Sequence, residues 1–137
     1  GADGVHVGAD DTAPAALREC LGPGAIVGVS CYDRLELARA AHAAGADYLA
    51  FGRMYASPTK PGGPRPDIGL LPRARSETGL AVCAIGGITV DRAPELIRAG
   101  ADLLAVIGDL FERTDVAARA AEYAALFAAP SIPRRGG

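Results

Sequence analysis

Short, nearly continuous apolar runs alternate along this chain with longer segments in which apolar and polar positions follow the period of a helix. Five runs stand out: Gly4-Val5-His6-Val7, Ala25-Ile26-Val27-Gly28-Val29, Tyr48-Leu49-Ala50-Phe51, Leu80-Ala81-Val82-Cys83-Ala84-Ile85 and Leu103-Leu104-Ala105-Val106-Ile107. They are too short for helices and rich in branched residues, so they read as buried strands. Helical periodicity covers 14–21, 34–44, 69–78, 92–99 and 116–127. In 34–44, Leu35, Ala38 and Ala41 form one apolar stripe, while Glu36, Arg39 and His42 fall on the other side, so His42 reads as a solvated surface histidine. The pattern is five strands alternating with five helices, which means a parallel sheet reached by right-handed crossovers.

A repeat reinforces this order. Gly-Ala-Asp at 1–3, 45–47 and 100–102 directly precedes three of the strands. Gly45 and Gly100 supply the positive φ that ends a helix, and the strand follows at once. Strand starts near Val5, Ile26, Tyr48, Ala81 and Leu103 are spaced by 21, 22, 33 and 22 residues. The extra length lies in 53–67, a loop rich in Pro and Gly after the third strand, where parallel barrels build their active sites. At roughly 22 residues per unit, eight units make a small barrel. The expected fold is therefore an α/β, (β/α)8 TIM barrel of which the last five strand-helix units are present. Residues 1–129 form that partial barrel and 130–137 a loose tail. A five-strand parallel sheet cannot close, so its two edge strands would be open to self-association. The rival, an open doubly wound sheet, lacks a dinucleotide fingerprint here.

Composition narrows the function. The 137 residues are 50% hydrophobic, with four Tyr, three Phe and no Trp, so the core relies on small aliphatic side chains. Fourteen basic against 16 acidic residues, without a basic run, give no reason to expect nucleic acid as a partner. The apolar stretches are far too short to cross a bilayer, and a soluble, cytoplasmic protein is expected. Cys20, Cys31 and Cys83 show neither disulfide nor zinc spacing. Cys31, placed just after a strand, is a nucleophile candidate, but neither His6 nor His42 has a sequence reason to lie beside it, so it reads as a reduced, unreactive thiol.

Candidate chemistry gathers after the strands. Gly86-Gly87-Ile88-Thr89 follows the fourth strand and leads into a helix, and Val106-Ile107-Gly108-Asp109 ends the fifth. Two glycine-bearing loops in consecutive units suit a phosphate held by backbone N–H groups. Thr89 or Asp91 alternatively caps the next helix, with Pro94 in its first turn. Ser57-Pro58-Thr59-Lys60-Pro61 places two hydroxyls and a cation in the long loop, suited to an anion, unless Lys60 is simply solvated. Asp10-Asp11-Thr12 reads as a helix cap or as a hard-oxygen site for Mg2+ beside a diphosphate. Ser30 ends the second strand, either as a turn residue or with its hydroxyl in the barrel mouth. His6 alternates with Val5 and Val7 and so faces the barrel interior, where it reads as a hydrogen-bonded core histidine, with a catalytic base as the alternative.

In this order the segments resemble thiamine phosphate synthase. The matching motifs are Gly4-Val5-His6-Val7-Gly8 with Asp10-Asp11, Gly28-Val29-Ser30-Cys31-Tyr32, Gly45-Ala46-Asp47-Tyr48 with Phe51-Gly52, Ser57-Pro58-Thr59-Lys60-Pro61, Ala84-Ile85-Gly86-Gly87-Ile88-Thr89 and Ala99-Gly100-Ala101-Asp102. The resemblance implies an enzyme that joins hydroxymethylpyrimidine diphosphate to thiazole phosphate and releases diphosphate, with Mg2+ as cofactor. It implies Asp11 as a Mg2+ ligand, Lys60 and Ser30 on the departing diphosphate, and Ser57 and Thr59 on the thiazole phosphate. The backbone of Gly87, Ile107 and Gly108 completes that cradle. The chain departs from the family in having Ala9-Asp10-Asp11 where Gln-Glu-Asp is common, and Gly108 where a serine is common. It also lacks the strands that carry the family's Gln-x-Arg-x-Lys and Asn-Asp motifs. A related thiazole tautomerase has a histidine where Tyr32 stands, and a non-catalytic phosphate-binding fragment is the further alternative.

Overall fold

The computed structural model describes residues 1–8, 10–56 and 65–128. Its elements are β1 (Gly4–Val7), α1 (Pro14–Leu21), β2 (Ile26–Tyr32), α2 (Leu35–Ala43), β3 (Tyr48–Phe51), α3 (Leu70–Thr78), β4 (Ala81–Ile85), α4 (Ala93–Ala99), β5 (Leu103–Ala105), α5 (Gly108–Phe111) and α6 (Val116–Ala128). Each expected strand and helix is present. α5 is additional, a single turn too short to leave a periodic signal. β5 is shorter than its apolar run because only Leu103, Leu104 and Ala105 find partners, on Cys83, Ala84 and Ile85. The tail expected at 130–137 lies outside the described residues.

All four strand pairings are parallel and the order is β1-β2-β3-β4-β5. Each strand sits beside its predecessor and the direction never reverses. A doubly wound sheet reverses at its switch point, whereas a barrel sheet keeps winding one way. Strand alternation sorts the side chains by face. Val7, Val29, Cys31, Leu49, Phe51, Val82 and Ala84 join Leu35, Ala38, Ala41, Leu70, Leu71, Ala74, Ala93 and Leu96 in one core between sheet and helices. Burial of a large side chain such as Phe51 or Leu71 contributes about 1.5–3 kcal/mol. The opposite sheet face carries His6, Ser30, Tyr48 and Cys83, and there Ile85 and Leu103 are 37% and 43% exposed. Among the described residues no helix is long and apolar enough to cross a membrane.

The Gly-Ala-Asp repeat has a mechanical meaning. Asp47 donates its N–H to the Val27 carbonyl at 2.8 Å, and its Oδ2 accepts the Val27 N–H at 2.7 Å. Asp102 does the same with Val82, at 2.8 and 3.0 Å. Arg18 on α1 pairs with Asp47 at 2.7 Å, and Arg75 on α3 pairs with Asp102. In each case one carboxylate joins a strand start, the next strand and a helix, which sets the register of the pair. In the first copy the Asp3 carbonyl accepts the Ile26 N–H at 3.0 Å.

Candidate active site

At the carboxyl end of β1 the chain turns back on itself. Asp11 Oδ2 accepts the Gly8 N–H at 2.7 Å, and the Asp11 N–H reaches the Gly8 carbonyl at 3.3 Å. Helix α1 begins after Ala13, and among the described residues no side chain caps it. The capping alternative for Asp10, Asp11 and Thr12 therefore fails, because the Asp11 carboxylate is drawn toward the strand end instead of the helix. Asp11 itself is exposed.

On the sheet face away from the helices, three polar side chains from neighbouring strands meet. His6 Nε2 lies 2.8 Å from Ser30 Oγ, and His6 Nδ1 lies 2.9 Å from the Tyr48 hydroxyl. Gly28 pairs with both His6 and Tyr48 in register, and a Cβ there would collide with the Tyr48 ring. Glycine at 28 makes the space into which that ring leans. His6 is hydrogen-bonded on the expected face but is exposed, not enclosed in a core. Desolvation still lowers its pKa below the usual histidine value. Just past Ser30 the register between β2 and β3 shifts, and Tyr32 takes φ 54°.

After β4 the two glycines are crowded by main chain. The N–H groups of Met54 and Tyr55 donate to the carbonyls of Ile85 and Gly86, both at 3.0 Å. A Cβ on Gly87, where φ is 63°, would lie 2.7 Å from the Tyr55 carbonyl oxygen and 2.8 Å from that of Ala56. Close approach of the chain leaving β3 thus requires glycine here. Arg92 donates to the Gly87 carbonyl at 2.9 Å and stacks 4.9 Å from the Tyr55 ring centre, while the Tyr55 hydroxyl donates to Glu95 at 2.9 Å. This clamp joins the loops after β3 and β4. Neither Thr89 nor Asp91 caps α4 through its side chain; the Thr89 carbonyl instead accepts the N–H groups of Arg92 and Ala93, and Pro94 sits in the first turn as expected.

The loops after β4 and β5 are joined in turn by Asp109, whose side chain is only 5% exposed. Its Oδ2 accepts the Val90 N–H at 3.2 Å and the Tyr123 hydroxyl at 2.7 Å, and it pairs with Arg113 and, at 3.9 Å, Arg119. Burial would raise its pKa, but Arg113, Tyr123, Val90 and Arg119 together outweigh it and hold the carboxyl below the usual range. Beside it stand Gly108, the first residue of α5, and Ile107, which is 73% exposed. Sequence reasoning missed Asp109, Tyr48 and the Tyr55–Arg92–Glu95 clamp. Only the four-residue spacing of Asp109 from Arg113, which lies just beyond α5, left a local signal.

Asp11, Ser30, Gly87, Ile107 and Gly108 all lie at or just beyond the carboxyl ends of β1, β2, β4 and β5, on one edge of the sheet. Ser57, Thr59 and Lys60 lie outside the described residues. Cys31 is fully buried, and burial pushes its thiol up to about 12; Cys83 is pushed to about 11, so neither is poised as a nucleophile.

A parallel sheet wound in one direction, covered by helices on one face and carrying its polar loops at the carboxyl edge, defines a β/α protein of the TIM-barrel type. Residues 1–110 match the model of the family described as thiamine monophosphate synthase, and the chain belongs to that family. It is 59% identical over 127 residues to the thiamine-phosphate synthase of Azoarcus sp. strain BH72, covering 93% of this chain and 62% of that protein. Identity to the thiamine-phosphate synthase of Thiobacillus denitrificans is 57% over 129 residues, covering 94% and 61%. Among solved structures, thiamine phosphate pyrophosphorylase from Pyrococcus furiosus superposes with a TM-score of 0.76 at 33% identity, covering 91% of this chain and 59% of that one. The chain thus spans about three fifths of the length of these relatives.

Proposed function

We propose that this chain forms the thiazole phosphate side of a thiamine phosphate synthase, an enzyme that joins hydroxymethylpyrimidine diphosphate to thiazole phosphate and releases diphosphate. The observation that carries this reading is the gathering of Asp11, Ser30, Gly87, Ile107 and Gly108 at one sheet edge, in a chain 59% identical to a thiamine-phosphate synthase. The five units are the last five of an eight-unit barrel, a reading supported by the unreversed strand order and by the greater length of the relatives.

In the reaction the bond between the pyrimidine methylene and the diphosphate breaks, and the thiazole nitrogen captures the carbon cation. The protein's task is to place donors and cations where the leaving group gains charge. Lys60 and the Ser30 hydroxyl meet the departing diphosphate. Ser57, Thr59 and the backbone of Gly87, Ile107 and Gly108 hold the thiazole phosphate, so that its nitrogen waits in line with the methylene. The Arg92–Tyr55 clamp and Asp109 keep these loops in position. Asp11 fits a Mg2+ ligand: it is an exposed carboxylate at a strand end, and Mg2+ takes one or two carboxylates, filling the rest of its octahedron with phosphate oxygens and water. Bound there, the ion would neutralise charge on the diphosphate. A cytoplasmic location and self-association through the β5 edge, where Ile107 and Phe111 are 73% and 65% exposed, complete the proposal.

Mg2+-dependent diphosphate release, assayed with both substrates, tests it. The 137-residue chain is expected to bind thiazole phosphate and turn over little. A longer protein that contains it should turn over, and Lys60→Ala in that protein should lower kcat by about 100- to 1000-fold with the fold intact. Unchanged turnover in Lys60→Ala, or no thiazole phosphate binding by either protein, contradicts the assignment.

A further inference from the structure

The hydrogen bonds of His6 decide what the Ser30 hydroxyl can do. A neutral imidazole donates through one nitrogen and accepts through the other. If Nε2 accepts from Ser30, the serine is activated as a nucleophile, as in serine hydrolases. If Nε2–H donates to Ser30 Oγ, the serine proton is turned outward, ready for an anion. The contacts on the two nitrogens, 2.9 Å to Tyr48 and 2.8 Å to Ser30, fit either arrangement by distance.

We infer that Tyr48 sets the second arrangement and so fixes Ser30 as an outward donor. A phenol is a stronger hydrogen-bond donor than an aliphatic hydroxyl, and the aliphatic oxygen is the better acceptor. The favourable chain of donors therefore runs from the Tyr48 O–H to Nδ1, then from Nε2–H to Ser30 Oγ, leaving the Ser30 O–H free. Two further observations support it. Burial raises the Tyr48 pKa and lowers that of His6, so the phenol keeps its proton and the imidazole stays neutral. Gly28 removes the one side chain that would push the Tyr48 ring off His6, whose ring centre lies 5.5 Å away. Tyr48 and His6 are positioning residues: they act on the leaving group only through Ser30. This deepens the proposed function and rests on its assignment of Ser30 to the diphosphate.

Nitrogen NMR of the 137-residue chain labelled in His6 reads the tautomer directly. The expected spectrum shows an unprotonated Nδ1 and a protonated Nε2, and Tyr48→Phe should shift the ring away from that single form. A protonated Nδ1, or covalent capture of Ser30 by a fluorophosphonate probe, overturns the inference. Titration with inorganic diphosphate and Mg2+ supplies the functional arm. Tyr48→Phe and Ser30→Ala should each weaken binding by about 10- to 100-fold, the worth of one hydrogen bond to a charged group. The double variant should be no weaker than Ser30→Ala alone, and additive losses contradict a relay through Ser30. Should Ser30→Ala bind diphosphate as the parent does while the tautomer is as stated, the proposed contact of Ser30 with the leaving group fails and the relay stands.

Discussion

The two ends of strand β4 are held in opposite ways. At the amino end, Gly79 adopts φ 71° with open space around the position of a Cβ, and Val82 is held by the side chain of Asp102, itself paired with Arg75. At the carboxyl end, Gly86 and Gly87 also take positive φ, but the main chain of residues 53–56 lies directly on them. Side chains satisfy the polar groups of the first end, and volume is tolerated there. Backbone fills the second end, and no added atom fits. The difference matches the division of labour in parallel barrels, where the amino face maintains the fold and the carboxyl face carries the chemistry.

Substituting the two glycines breaks or confirms this contrast with the largest expected effect. Gly87→Ala adds the cost of a left-handed alanine to a clash with two carbonyls, about 2–5 kcal/mol in denaturant unfolding. Gly79→Ala meets only the first of these and should cost about 1 kcal/mol. Equal losses at the two positions would show that crowding at Gly87 is not real.

Asp109→Ala comes next. It leaves the Val90 N–H and the Tyr123 hydroxyl without their shared acceptor, an expected loss of about 2–3 kcal/mol. It should also loosen both carboxyl-end loops, seen as faster hydrogen exchange at Val90. Asp102→Ala removes the acceptor for Val82 at the other end and should cost about 1–2 kcal/mol while leaving exchange at Val90 unchanged. Loss of Val90 protection in Asp102→Ala would mean that the two ends are not independent.

Acid titration gives the smallest effect. Burial would raise the Asp47 pKa, but the Val27 N–H and Arg18 outweigh it and hold the carboxyl low, as the partners of Asp109 do for that residue. A depressed folded pKa means that the stabilisation is complete above the unfolded value near pH 4 and is lost as pH falls through the folded value. Asp47→Asn should therefore flatten the stability curve below about pH 4 and leave its slope near neutrality unchanged. An unaltered acid limb would remove Asp47 from the account.

Much of this architecture was legible in the chain. Apolar runs and helical stripes located the elements because their periods are local. The Gly-Ala-Asp repeat marked three strand starts, although it took coordinates to see that the aspartate carboxylates register Val27 and Val82. Glycine pairs and lone polar residues at strand ends pointed to the carboxyl edge. What stayed hidden depends on contacts distant in sequence: Tyr48 reaching His6 across 42 positions, Tyr55 reaching Glu95 across 40, and Asp109 gathering Val90 and Tyr123. Asp11 was ambiguous for a related reason, since a capping aspartate and one folded back on Gly8 occupy the same place before a helix.

The central claim is that the carboxyl edge holds the thiazole phosphate, and amide NMR of the chain titrated with that compound addresses it most directly. The account predicts shifts at Gly86, Gly87, Ile107 and Gly108, and none at Val27, Asp47, Val82 or Asp102. Shifts confined to the amino-end residues, or saturation without any change at Gly87, would contradict it.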